Sequence, residues 1–270
     1  MQKQGLNGLD KKVVWITGAS SGLGEALAKA CAKQGAQVIL TARRFEVLEQ
    51  VRANLFQPER HISFAMDVTD EAQVQHTYAQ VLEKFGRIDW LINNAGLSQR
   101  ALISDTSMHT ERAIMEIDYF SQVFLTKTVL PTLLKQQSGR VVFISSVAGL
   151  LGTQYRASYS AAKAAIHLWA NSLRAEVAEQ GVQVSVVFPG FVQTNVSFNA
   201  LNGAGQAQGH QDEAIANGLS ADDFAAQVLK ALMHGKEYIV VAGAKEKLGV
   251  MLSRLSPKAL YKVIRKSTVK

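Results

Sequence analysis

A single cysteine, Cys31, stands in a chain of 270 residues, which excludes any disulfide within the chain and permits a reducing compartment. It falls in an apolar helical stretch and reads as a buried structural thiol. Residues 1–12 are polar and lack the apolar core of a secretory signal. No apolar run reaches the length that crosses a bilayer. A soluble cytoplasmic protein is therefore expected. There is no internal repeat. The histidines His61, His76, His109, His167, His210 and His234 are scattered without metal-ligand spacing, so no metal site is expected. No nucleic-acid module is recognisable, and nucleic acid is not an expected partner.

What remains is an ordinary globular balance of 47% hydrophobic and 19% charged residues. The length suits one α/β domain. Net charge is +7, much of it in residues 245–270. Short apolar runs with β-branched residues predict strands at 13–17, 38–41, 61–66, 88–92, 140–144, 182–188 and 238–241. Helical spacing predicts helices over 26–34, 46–55, 71–85, 111–135, 155–180 and 221–234. Strands and helices alternate, and the strands are nearly all apolar, as in a parallel sheet covered on both faces. The expected fold is α/β: a single, doubly wound, Rossmann-type parallel sheet over residues 1–244, followed by a basic amphipathic tail over 245–270. Residues 199–217, rich in Gly, Gln, Ala and Asn, interrupt the alternation within a substrate loop at 190–220 and are expected to form a lid.

The first predicted strand runs into Thr17-Gly18-Ala19-Ser20-Ser21-Gly22-Leu23-Gly24, and a helix follows. Glycines there let the backbone turn tightly and approach a pyrophosphate, while the helix start offers free N–H groups and a positive dipole end. The spacing is G-x-x-x-G-x-G rather than G-x-G-x-x-G; its place at the first strand-to-helix joint carries the reading. An NAD site would put an acid at the end of the second strand to bind the ribose 2′-hydroxyl. Here the segment is Thr41-Ala42-Arg43-Arg44. A guanidinium suits a 2′-phosphate, so NADP(H) is the expected cofactor.

Tyr159 and Lys163 are four residues apart on a predicted helix and share a face. A neighbouring ammonium favours a phenolate, and such a pair can act as general acid in reduction and general base in oxidation. The helix follows the fifth strand, whose end carries Ser145-Ser146, where a hydroxyl can hold a substrate oxygen.

With these residues in place, the chain resembles the short-chain dehydrogenase/reductase family over nearly its whole length. The matching pieces are TGASSGLG at 17–24, NNAG at 93–96, SS at 145–146, YSAAK at 159–163 and PG at 189–190. The resemblance implies a Rossmann core, a homodimer or homotetramer, and Tyr159 as catalytic acid/base. It implies that Lys163 lowers the tyrosine's pKa and binds the nicotinamide ribose, and that Ser146 orients the substrate oxygen. It places Asp67 and Val68 beside the adenine, and Asn94, Ala95 and Gly96 along the cofactor cleft. It adds Pro189, Gly190, Val192 and Thr194 to the cofactor-binding residues, with Thr194 near the carboxamide. Within the family, the likeness leans toward sterol, steroid and lipid-like carbonyl reductases. The chain departs from the pattern at Asp118, in Ile117-Asp118-Tyr119-Phe120-Ser121, where relatives carry asparagine in the proton relay to the lysine. An ionised aspartate accepts a hydrogen bond but donates none. Asp118 either joins that relay or serves a break in the helix remote from it.

The expected substrate is a small carbonyl or alcohol compound, held by an apolar pocket of Leu97, Val147, Tyr155, Phe191 and the loop after Thr194. Two other readings stand beside the enzyme: a non-catalytic NADPH-binding regulator, and a peripheral membrane protein. The latter rests on the tail, where apolar residues alternate with Lys247, Arg254, Lys258, Lys262, Arg265 and Lys266. Weak contact with an anionic membrane is one role for it; covering the pocket and packing on a partner subunit are others.

Overall fold

Every residue of Val13–Thr17 (β1) is buried, because apolar and β-branched side chains emerge on both faces of a covered strand. The computed structural model describes residues 8–265, so Lys266 and the rest of the tail's end lie outside the described residues. Six further strands follow in chain order: Gln37–Ala42 (β2), Ile62–Ala65 (β3), Trp90–Asn93 (β4), Gly139–Ile144 (β5), Val182–Pro189 (β6) and Tyr238–Val241 (β7). All pairings are parallel, in the order β3-β2-β1-β4-β5-β6-β7. The α/β doubly wound architecture expected from the alternation is the one observed.

Each strand feeds a helix, and alternate side chains feed two cores. Val14 and Ile16 point to one face, against Gly22–Lys33 (α1), Phe45–Ala53 (α2) and Ala221–Met233 (α8). Val13 and Trp15 point to the other, against Glu71–Phe85 (α3), Ser121–Gln136 (α5) and Ala157–Glu176 (α6). The one polar atom of buried Trp15 is satisfied, its Nε1 donating to Thr41 Oγ1 at 3.0 Å. The sheet reverses direction of growth between β1 and β4, which opens a crevice at the strands' carboxyl ends.

Two of the expected helices change. Residues 111–135 are not one helix: Met108–Met115 (α4) and α5 are joined by a π-helical turn, Glu116–Phe120, with Asp118 buried at its centre. Such a turn has no glycine or proline signature, so the periodicity runs through it. The helix expected over 155–180 is Ala157–Glu176: it starts late because Tyr155 is left-handed at φ 64°, and it ends early with Val177 as its C-cap. The lid segment carries a short helix, Glu213–Ala216 (α7), and is tied down by isolated bridges such as Gln99 to Leu201. The tail folds into Ala244–Leu255 (α9) and Pro257–Ile264 (α10); Val250 is buried in the second of the two cores, and Leu260 of α10 is buried as well. Among the described residues, no helix is long and apolar enough to cross a membrane.

Candidate active site

A cleft of about 750 Å³ opens at the crevice. Its floor is the turn after β1. Gly18 sits at φ 63°, open to glycine at little cost, and a Cβ on Gly24 would overlap the Gly18 carbonyl oxygen. That contact brings the start of α1 up against the turn. The N-cap Ser21 makes no side-chain cap, so the first N–H groups of the 12-residue helix stay free for an anion. A Cβ on Gly22 would lie 3.2 Å from Thr194 Cγ2, so the threonine closes over the turn from the far side. Ser20, Ser21, Gly22, Leu23 and Thr194 all line the cleft.

Thr17 joins this floor to the next wall. Its hydroxyl accepts from the backbone N–H of Asn94 and Ala95, each at 3.0 Å, and the Asn94 amide donates to Thr17 O at 2.8 Å. The turn at Asn94, Ala95 and Gly96 is thereby fixed to β1 and lines the cleft. Arg43 and Arg44 lie at the exposed rim after β2. Among the described residues, neither guanidinium has a hydrogen-bond or ion-pair partner. Asp67 and Val68 follow β3, and the Asp67 carboxylate is engaged locally, accepting from Thr69 N at 3.0 Å and Thr69 Oγ1 at 2.8 Å. Pro189, Gly190, Phe191 and Val192 form the wall after β6.

The opposite wall carries the Ser-Tyr-Lys group. Ser146 Oγ accepts from Ala148 N at 3.1 Å, which leaves the hydroxyl proton for another acceptor. Gln99 Oε1 accepts from Ser158 N at 2.9 Å and so caps the start of α6, the helix that bears Tyr159 and Lys163. Lys163 is buried and doubly tied to β5: its backbone carbonyl accepts from Ser145 Oγ at 2.8 Å, and its Nζ donates to Ile144 O at 3.1 Å. The ammonium lies 5.7 Å from the centre of the Tyr159 ring.

Asp118 approaches this ammonium from the π-helical turn. Its Oδ1 is 3.5 Å from Lys163 Nζ and accepts from Leu97 N at 2.9 Å. A Cβ on Gly96 would stand 2.7 Å from that oxygen, so only glycine admits the pair so close to the cofactor turn. Burial pushes the Asp118 carboxyl above the ordinary carboxylate range; the Lys163 charge and the Leu97 N–H oppose it. The helix break and the approach to the lysine are the same feature.

Two pocket residues expected from the sequence do not line the cleft. Val147 is packed into the core, and Tyr155 spends its left-handed backbone on the loop, its carbonyl accepting from Ala101 N at 3.1 Å. Leu97 and Phe191 do line it. Sequence reading missed Gln99 and quoted Thr17 and Ser145 in their motifs without their bracing roles, because these contributions depend on contacts 18 to 78 positions away. It also missed Glu246 of α9, whose Oε1 accepts from Phe191 N at 3.2 Å and braces the wall after β6.

A crevice of this kind, at the switch point of a parallel sheet and floored by a glycine turn, is where the architecture takes up dinucleotides. A family model described as short chain dehydrogenase matches residues 12–203. The chain belongs to the short-chain dehydrogenase/reductase family and is an NAD(P)-dependent oxidoreductase. It is 39% identical over 269 residues to the Drosophila melanogaster dehydrogenase/reductase SDR family protein 7-like, covering 98% of this chain and 82% of that one. It is 36% identical over 259 residues to the Bos taurus dehydrogenase/reductase SDR family member 7B, covering 93% and 80%. Among solved structures, a short-chain dehydrogenase from Streptomyces avermitilis superposes with a TM-score of 0.81 at 32% identity, covering 94% of this chain and 97% of that one.

Proposed function

We propose that the protein is an NADP(H)-dependent carbonyl reductase or alcohol dehydrogenase for a largely apolar substrate. The observation that carries this reading is that Ser146, Tyr159 and Lys163 share one cleft with the glycine turn and with Arg43 and Arg44. Bound there, the dinucleotide supplies the hydride in reduction and accepts it in oxidation. Tyr159 gives its phenolic proton to the substrate oxygen in reduction and takes it back in oxidation. Ser146 donates a hydrogen bond from its free hydroxyl to the same oxygen, keeping its own proton, and fixes that oxygen's direction. Lys163 stabilises the negative charge left on the phenolic oxygen, and Asp118 with Ile144 O keeps the ammonium in place. A nucleotide-holding regulator would have no use for this complete proton-transfer group. The test is NADPH oxidation against a panel of apolar ketones, aldehydes and quinones; the absence of turnover across the panel, in protein that binds NADPH, would favour the regulator.

The choice of NADP(H) over NAD(H) rests on the unpartnered guanidinium groups at the rim after β2. Arg43→Ala is expected to weaken NADPH binding by about 1.5–3 kcal/mol, the scale of a charged hydrogen bond, and to leave NADH almost unchanged. Titration of both cofactors into wild type and variant decides it, since equal losses would remove the 2′-phosphate role. Arg44, at the N-cap of α2, is the second candidate. The homodimer or homotetramer suggested by the family resemblance is checked by sedimentation velocity.

A further inference from the structure

Three charged side chains are buried together beside the catalytic wall. Asp212, at the start of α7, presents Oδ2 to two arginines. Arg100 engages it fully, through Nε at 2.7 Å and Nη2 at 2.6 Å. The remaining Arg100 nitrogen, Nη1, donates to Ser98 Oγ at 2.7 Å and to Gln99 O at 2.6 Å. Asp212 Oδ1 accepts from Gln208 Nε2 at 3.1 Å. Burial alone would push the Asp212 carboxyl up, but Arg100, Gln208 and Arg156 together hold it below the ordinary range. The carboxylate is thus neutralised by Arg100.

Arg156 is in a different position. Among the described residues, the one hydrogen bond of its guanidinium is the longer contact from Nη2 to Asp212 Oδ2, 3.3 Å. Its Nε is buried without a partner, and its guanidinium otherwise lies over the Phe191 ring, 5.5 Å from the centre. Two guanidinium groups against one carboxylate leave a surplus of one positive charge. Burial, foremost, and the like charge of Arg100 push the Arg156 guanidinium down to about 10, and Asp212 only partly opposes them. The residue before it, Tyr155, holds a left-handed backbone at φ 64° without being glycine. Strain of that kind persists where the surroundings enforce it, and it clusters at ligand sites.

Arg156 and Arg100 line the same cleft as Tyr159, and Arg156 precedes Tyr159 by three residues. Leu97, Val196, Leu201 and Ile215 supply the cleft's apolar lining on this side. We propose that Arg156 binds a carboxylate carried by the substrate, so that the enzyme acts on an apolar oxo acid and the hydroxy acid it becomes. A monoanion balances the single surplus charge; a dianion would leave one negative charge buried. A planar guanidinium also matches a carboxylate edge. The reading rests on the oxidoreductase function proposed above, but its ligand chemistry can be tested apart from turnover.

The full chain, saturated with NADP⁺, is titrated calorimetrically with dodecanoate, methyl dodecanoate and dodecyl phosphate. Wild type is expected to bind the carboxylate about 10- to 100-fold more tightly than the ester, the range of a charged hydrogen bond. In Arg156→Gln that ratio should collapse toward one. Equal affinity for acid and ester in wild type overturns the proposal, and needs no variant. An unchanged ratio in a folded Arg156→Gln overturns it too, as does tighter binding of the phosphate. On the same samples, NADPH oxidation is followed with an apolar ketone and with the oxo acid of equal chain length. Turnover without any acid preference overturns the carboxylate subsite and keeps the oxidoreductase reading. Acid-selective binding with turnover of neither compound supports the subsite and counts against the reaction.

Discussion

Tyr159→Phe slows hydride transfer by about two to four orders of magnitude, the share expected of a positioned general acid or base. The substitution removes one oxygen and leaves the ring. The contact between that ring and the Lys163 ammonium, 5.7 Å from its centre, survives. So do the bonds that tie Lys163 to β5, which involve only Ser145 and Ile144. The glycine turn and the Thr17 bridge to Asn94 and Ala95 lie on the opposite wall and do not pass through Tyr159. Cofactor affinity and melting temperature should therefore stay close to wild type while the chemical step collapses. Single-turnover reduction and NADPH titration on one sample separate the two. Near-normal turnover in the variant would falsify the assignment of Tyr159, whatever happens to binding.

The alternation of apolar strands with amphipathic helices was legible because a strand covered on both faces must be apolar throughout, as β1 and the interior of β5 are. The glycine turn and the Tyr159–Lys163 pair were legible for the same local reason: spacing of a few residues determines which atoms can meet. What could not be read is long-range. Nothing near Arg156 in sequence says that Asp212 will face it, 56 positions later. Nothing near Phe191 announces Glu246, 55 positions on. The π-helical turn was hidden for another reason. It changes the backbone bonding without changing the apolar spacing, so the periodicity runs through Ile117 to Ser121; only the departure at Asp118 hinted at a break, and the hint did not say that the break and the approach to Lys163 coincide.

That inward turn sets up the second large effect. Lys163→Met removes the ammonium beside a fully buried carboxylate, since Asp118 has 0% of its surface exposed. Breaking a buried pair from one side costs about 3–5 kcal/mol, because the remaining charge is left uncompensated. The cost depends on pH in a defined direction. Burial pushes Asp118 up, and Lys163 is the foremost influence opposing it, so its removal raises the folded carboxyl further above its ordinary value of 3.8. Between that ordinary value and the raised folded one, the folded chain keeps a proton that the unfolded chain has lost. The folded state binds more protons there, so stability falls as pH rises, by up to about 1.4 kcal/mol per pH unit. The deficit of Lys163→Met relative to wild type should be smallest in acid, below the ordinary carboxylate value, and should widen toward neutrality. Adding Asp118→Asn removes the stranded charge and is expected to restore most of the stability at neutral pH, with catalysis still lost for want of the ammonium. Urea unfolding of wild type, Lys163→Met and the double variant between pH 4 and 8 measures this directly. A deficit that is flat with pH, or a double variant no more stable than Lys163→Met, would show that Asp118 carries no significant charge in the folded protein, and that the lysine contributes packing alone.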